Sequence, residues 1–185
     1  MGNTMGKAAD LLSSIENPSF KDSDEYLLIK LVKKYESFTP IMREACINDL
    51  VKFAKDLPKT FISNLCVKAR QLEMKNSCFA LLLSLIHRSE DEQGPKVKNV
   101  FHEVMYHPQD MLDFMSVYMK SPIKRRSKQM EKGLSKCFLK FTEAQFKSCS
   151  RKGPWKLRDV MYISHPKPLN EEQAQLFNKI ARNRL

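Results

Sequence analysis

The stretch HEVMYHPQD, residues 102–110, places two histidines and two acids within nine positions and raises the question of a metal. A zinc-protease helix needs its ligand histidines four residues apart, so that both share one face. His102 and His107 are five apart, about 140° round a helix axis. Pro108 also ends any helix running into it. The spacing therefore argues against a metal site. The chain has no Cys-x-x-Cys pair, no Walker-type phosphate loop and no G-x-S-x-G elbow. Its acids are scattered, with no pair beside a glycine-rich cleft. The expectation is a non-enzymatic protein that needs neither cofactor nor metal.

The basic residues are more informative. Residues 120–158 hold thirteen Lys or Arg against two acids, Glu131 and Glu143, an excess equal to the whole net charge of +11. Elsewhere acids and bases balance. A regional excess of this kind fits an anionic partner. Within it, Lys124, Lys128, Lys132, Lys136 and Lys140 recur at every fourth position, beside Arg125 and Arg126. On a helix these lysines fan over about 160°, opposite an apolar arc of about 100° formed by Met130, Leu134, Cys137, Phe138 and Phe141. The row is about 24 Å long, enough for several phosphates. An ordinary solvated face usually carries Glu four residues from Lys. Only Glu131 is present, which favours anion binding over a plain solvated face.

A second basic stretch follows at residues 151–168, RKGPWKLRDVMYISHPKP. Helical spacing groups Trp155, Val160 and Ile163, which makes Trp155 a core anchor. His165 lies between Ser164 and Pro166, just past a helix end, where a proline-locked turn holds it. There it can donate to a phosphate or stack on a base. The alternative is a buried histidine capping helix carbonyls.

The elements that must carry these residues are helical. Thr39-Pro40 reads as N-cap and first helical residue for IMREACINDLVKFAK, in which Ile41, Ala45, Leu50, Val51 and Phe53-Ala54 form a loose apolar period. Further helices start at Pro58, Gly94-Pro95, His107-Pro108, Ser121-Pro122, Pro154 and Pro168. NSCFALLLSLIHR is apolar nearly all round and should be buried. About eight helices are expected after Pro40, with no strand. Short Pro-marked turns suggest antiparallel pairs stacked side by side, as in an α-solenoid. Residues 1–23 read as a short helix and loop, and residues 24–185 as one helical-repeat domain.

Composition agrees. The chain has 185 residues, 42% hydrophobic and 29% charged, with five glycines, which is globular and not loop-rich. It has no apolar run long enough to span a membrane and no apolar signal-peptide core. Gly6 stands where a myristoylation signal needs Ser or Thr. The five cysteines are odd in number and widely spaced. Reduced thiols in a cytoplasmic setting are expected, most of them filling the core.

WKLRDVMYISHPKP resembles, without a gap, the Trp-x-x-basic-Asp-apolar-apolar-x-apolar-Ser-His-x-Lys-Pro signature of the TROVE module, found in Ro ribonucleoproteins and related RNA-binding proteins. Trp155, Arg158, Asp159, Ser164, His165, Lys167 and Pro168 fall in register. The basic segment before it resembles the family's own, and the likeness extends more loosely over residues 24–185. The resemblance implies a HEAT-like array that binds a structured small noncoding RNA. By position it implies RNA contacts at His165 and Lys152, with Lys147, Arg151, Arg158 and Lys167 close by. The family's second basic position falls on Ser148, and Leu157 and Tyr162 replace a usual His and Arg. The Asp-x-Ser-x-Ser of the family's metal-binding domain is absent, and 17 residues follow Pro168. The expectation is a half-module completed by a second copy or another protein. Leu176, Phe177 and Ile180 would need cover at its end, either by folding back on their own domain or by forming an interface. The other reading, from a different class, is an assembly protein that uses the same scaffold to bind protein partners in a larger particle.

Overall fold

Seven helices order the described part of the chain, and most begin where a cap or a proline says they should. The computed structural model describes residues 23–88, 94–121, 128–141 and 145. The helices are α1 (Asp24–Ser37), α2 (Pro40–Lys55), α3 (Lys59–Gln71), α4 (Lys75–His87), α5 (Val97–Val104), α6 (Pro108–Lys120) and α7 (Lys128–Lys140). No strand occurs among the described residues, so the all-α expectation holds for them. None of these helices is long and apolar enough to cross a membrane.

Local chemistry explains the starts. The hydroxyl of Ser23 accepts the Tyr26 N–H at 3.1 Å, with Asp24 and Glu25 in the first turn of α1, where acids complement the helix dipole. Thr39 caps α2 by accepting from Met42 N, with Pro40 in the first turn. His107 and Asp110 form a reciprocal capping box at the head of α6. α4 has no local side-chain cap. Glu36 of α1 supplies one instead, its carboxylate accepting from Ser77 N at 2.8 Å and Asn76 Nδ2 at 3.3 Å. Between α3 and α4, Glu73 sits at φ 60°. There Met74 N donates to Ala69 O and Glu73 N to Arg70 O, the double bond of a Schellman turn. That tight reversal sends α4 back along α3.

α4 is buried all round, as its composition requires: every residue from 77 to 86 is covered. Its two buried hydroxyls are satisfied, Ser77 donating to Val32 O and Ser84 to Leu81 O. Around it lies one continuous core. Phe114 of α6 stands at the centre of an edge-to-face trio, 5.7 Å from Phe79 of α4 and 5.1 Å from Phe101 of α5 between ring centres. Such pairs add about 0.5–1.5 kcal/mol each beyond area burial.

α2 departs from expectation. Leu50, Val51 and Ala54 are buried, but Ile41 is 82% exposed and Ala45 is exposed too. Arg43, Glu44 and Ile47 face α1, α4 and α6 across a cavity, and Ile41 lies on a different side of the first turn. The loose sequence period averaged two faces.

The packing has a direction. α2 and α4 run the same way: Ile47 and Phe79 line one cavity, and further along both helices Arg88 reaches Ala54 O. α3 and α5 meet at their C-terminal ends, where Arg70 donates to Val104 O. Lys75 heads α4 and meets Asp110 and Asp113 at the head of α6. Lys136 meets Asn99, and Lys140 meets His102 and Met105, so α7 runs the same way as α5. From α2 to α7, alternate helices therefore run the same way. The extensive contacts all join helices within three places of one another in order.

Candidate nucleic-acid interface

α7 shows how the chain separates core from charge. Leu134, Cys137 and Phe138 are fully buried and Phe141 nearly so, as their spacing foretold. Gly133 lets the helix approach α5 closely: a Cβ there would lie 2.4 Å from Cδ2 of Phe101. On the other side Lys132, Lys136 and Lys140 are exposed.

These three lysines are not equivalent. Lys140 Nζ donates to His102 O at 2.8 Å and Met105 O at 2.9 Å, so its ammonium caps the C-terminal carbonyls of α5 and complements that helix's dipole. Among the described residues, Lys136 Nζ touches a neutral acceptor, Asn99 Oδ1 at 3.2 Å. No ion pair or hydrogen bond is recorded for Lys132 among the described residues. His102, half-exposed on α5, lies in this field. Burial, then the charges of Lys140 and Lys136, push its imidazole below the usual histidine value, with Glu103 opposing them.

The most concentrated set of polar side chains lies elsewhere, beneath α6. Asp110 is 2% exposed. Its carboxylate accepts from Arg70 at 3.1 and 3.2 Å, from Lys75 at 2.8 Å, and from the N–H groups of Tyr106 and His107 at 2.8 and 3.1 Å. Burial would raise this carboxyl, but the Lys75 bond and charge and the Arg70 bond outweigh it, and it sits below 3.8. Lys75 also holds Asp113, and its ammonium is raised against the effect of its burial by the two carboxylates. Arg70 stacks on Tyr106 at 4.4 Å. Both oxygens of Asp110 are engaged, and the cluster joins α3, α4 and α6. Sequence reading missed it because its partners lie 35 to 40 positions apart.

The histidine pair resolves differently from a metal site. Nδ1 of His107 accepts the Gln109 N–H at 3.1 Å, and the ring serves as a helix cap. Cys66, Cys78 and Cys137 are buried free thiols, as expected of core fillers. Cys66 and Cys78 lie 3.6 Å apart, sulfur to sulfur. Burial holds Cys78 well above the usual thiol range and Cys137 at about 12. A cavity of about 270 Å³ between α1, α2, α4 and α6 is lined by Tyr35, Arg43, Glu44, Lys75 and Asp113 among others. Burial drives the Tyr35 phenol to about 12.

Of the residues singled out in sequence, Lys132, Lys136 and Lys140 are described in full, and the backbone of Lys128 lies in the first turn of α7. Lys124, Arg125, Arg126, Lys147, Arg151, Lys152, Trp155, Arg158, His165 and Lys167 lie outside the described residues, as do Leu176, Phe177 and Ile180. No family model, curated protein or solved structure matches the chain. The TROVE resemblance accordingly rests on the residues quoted for it.

Proposed function

We propose that this chain is a non-enzymatic RNA-binding protein that holds the phosphate backbone of structured RNA on the lysine side of α7 and the basic segment after it. The observation that carries the reading is the pair Lys132 and Lys136: exposed, on a helix anchored by Leu134, Cys137 and Phe138, and opposed by no described carboxylate. Uncompensated like charge on a fixed frame is what a polyanion neutralises. The shared direction of alternate helices from α2 to α7, with extensive contacts confined to near neighbours in order, supports a stacked array of the HEAT or TROVE type. The signature around Trp155 and His165 supports the same reading. Buried free thiols fit a reducing, cytoplasmic setting.

A labelled RNA hairpin titrated over a range of salt tests it. Replacing both Lys132 and Lys136 with Gln weakens binding and flattens the slope of log K against log[salt] by about one to two units. Unchanged slope and affinity would retire the proposal. One observation favours the assembly reading instead: Ile41, 82% exposed, and Met42, 47% exposed, stand together at the head of α2, as a protein-binding surface would. Purified protein free of 260 nm absorbance, with no RNA affinity and a protein partner lost on Ile41→Ser, would favour it.

A further inference from the structure

We propose that α5 forms the second wall of the RNA site, and that a phosphate seated between Lys136 and His102 loads a proton onto the histidine, so that RNA binding tightens as pH falls. This rests on the RNA reading above and adds to it a residue and a proton.

Asn99 and His102 are three apart on α5 and so share a face, and α7 runs beside them in the same direction. The contact of Lys136 with Asn99 and of Lys140 with the His102 carbonyl sets these groups against one another. Lys136 has a neutral amide oxygen as its described acceptor. A phosphate oxygen is the stronger one, since both partners are then charged. Lys140 keeps its charge in place but spends its donors on α5, and serves as a fixed positive group.

The imidazole stands on the same face of α5 as Asn99. Its Nδ1 is enclosed and has no hydrogen-bond partner among the described residues. Among the described residues, the charges that bear on it are Lys140 and Lys136 from α7 and Glu103 on its own helix. Arg70 of α3 and Lys75 of α4, on the other helices packed against α5, are held by Asp110 and Asp113. Among the described groups two cations outweigh one acid, and burial acts in the same sense, so the free protein disfavours the charged imidazole. An incoming phosphate reverses the sign of the local field and raises the histidine's affinity for a proton taken from solvent. Binding and proton uptake are then linked. The gain is absent above the bound-state pKa, grows as pH falls through it, and is complete below the free-state pKa.

The test is affinity for a labelled mixed-sequence RNA hairpin at fixed salt, at about pH 7.5 and about pH 5.5, spanning the histidine range. The full chain should bind about threefold to tenfold tighter at the lower pH, as a shift of about half to one pKa unit requires. His102→Ala should lose that gain. His102→Lys should bind tightly at both values. In proton NMR of the wild type, the His102 ring should titrate below 6.5 when free and higher with RNA bound. A pH gain that survives His102→Ala belongs to another histidine and overturns the inference while the RNA reading stands. So does a His102 titration that RNA does not move. No RNA binding at either pH overturns both.

Discussion

Two charged regions lie within a few turns of each other and are built on opposite terms. Beneath α6, Asp110 is sealed in and meets Arg70, Lys75 and two backbone donors. On α7, Lys132 and Lys136 are exposed, with one neutral acceptor between them among the described residues. The first region has its charges cancelled and holds three helices together. The second keeps its charge available. A dense polar cluster is therefore not the better candidate for function here. What recommends the α7 face as the proposed interface is the charge left without a described counter-ion.

That contrast can be broken by substitution, and the largest effect is expected in the buried region. Asp110→Ala strands Arg70 and Lys75 and opens the α6 capping box. Removing one partner of a buried pair costs about 3–5 kcal/mol, so thermal melting followed by circular dichroism should shift down by about 10 °C. RNA affinity of the protein that remains folded should be unaltered. Because Asp110 lies below 3.8 in the folded protein, its contribution is full above about pH 4 and disappears as pH falls through the lowered value. Acid unfolding of the wild type should therefore be steepest below 3.8, and Asp110→Ala should lack that component.

The next effect probes the frame of the basic face. Gly133→Ala would gain about 1 kcal/mol from helix propensity alone. Its Cβ would strike the fully buried ring of Phe101, however, and overpacking costs about 1–3 kcal/mol. A net loss of stability is expected, and a higher melting temperature would refute the close approach of α5 and α7. The smallest effect sharpens the division among the lysines. Lys140→Gln should cost about 0.5–1 kcal/mol through the lost cap on α5 and leave the salt slope of RNA binding where it was. A flattened slope would place Lys140 among the phosphate contacts after all.

Much of this frame was legible because local chemistry fixed it. Thr39-Pro40, Pro58 and His107-Pro108 mark helix starts in sequence and in structure, and the all-round apolar run of α4 marks the buried centre. α1 was overlooked although Ser23-Asp24-Glu25 is a cap followed by first-turn acids. Ile41 was misread because apolar spacing alone does not say which stripe meets a neighbour. The Asp110 cluster and the different fates of Lys136 and Lys140 were illegible, since each depends on a partner more than thirty positions away. The apolar side of α7 was legible residue by residue, for the burial of Leu134, Cys137 and Phe138 follows from period alone.

The placement of α4 has a consequence in time. It touches five of the other six described helices, so its apolar surface has nowhere to go until several of them have formed. All five lie within three places of it in order, which keeps the closing loops short and the sequence separation of contacts low. Chains with that property search quickly. α4 should therefore act as the seed on which α3 and α5 condense first, with its amide protons released only when the whole domain opens.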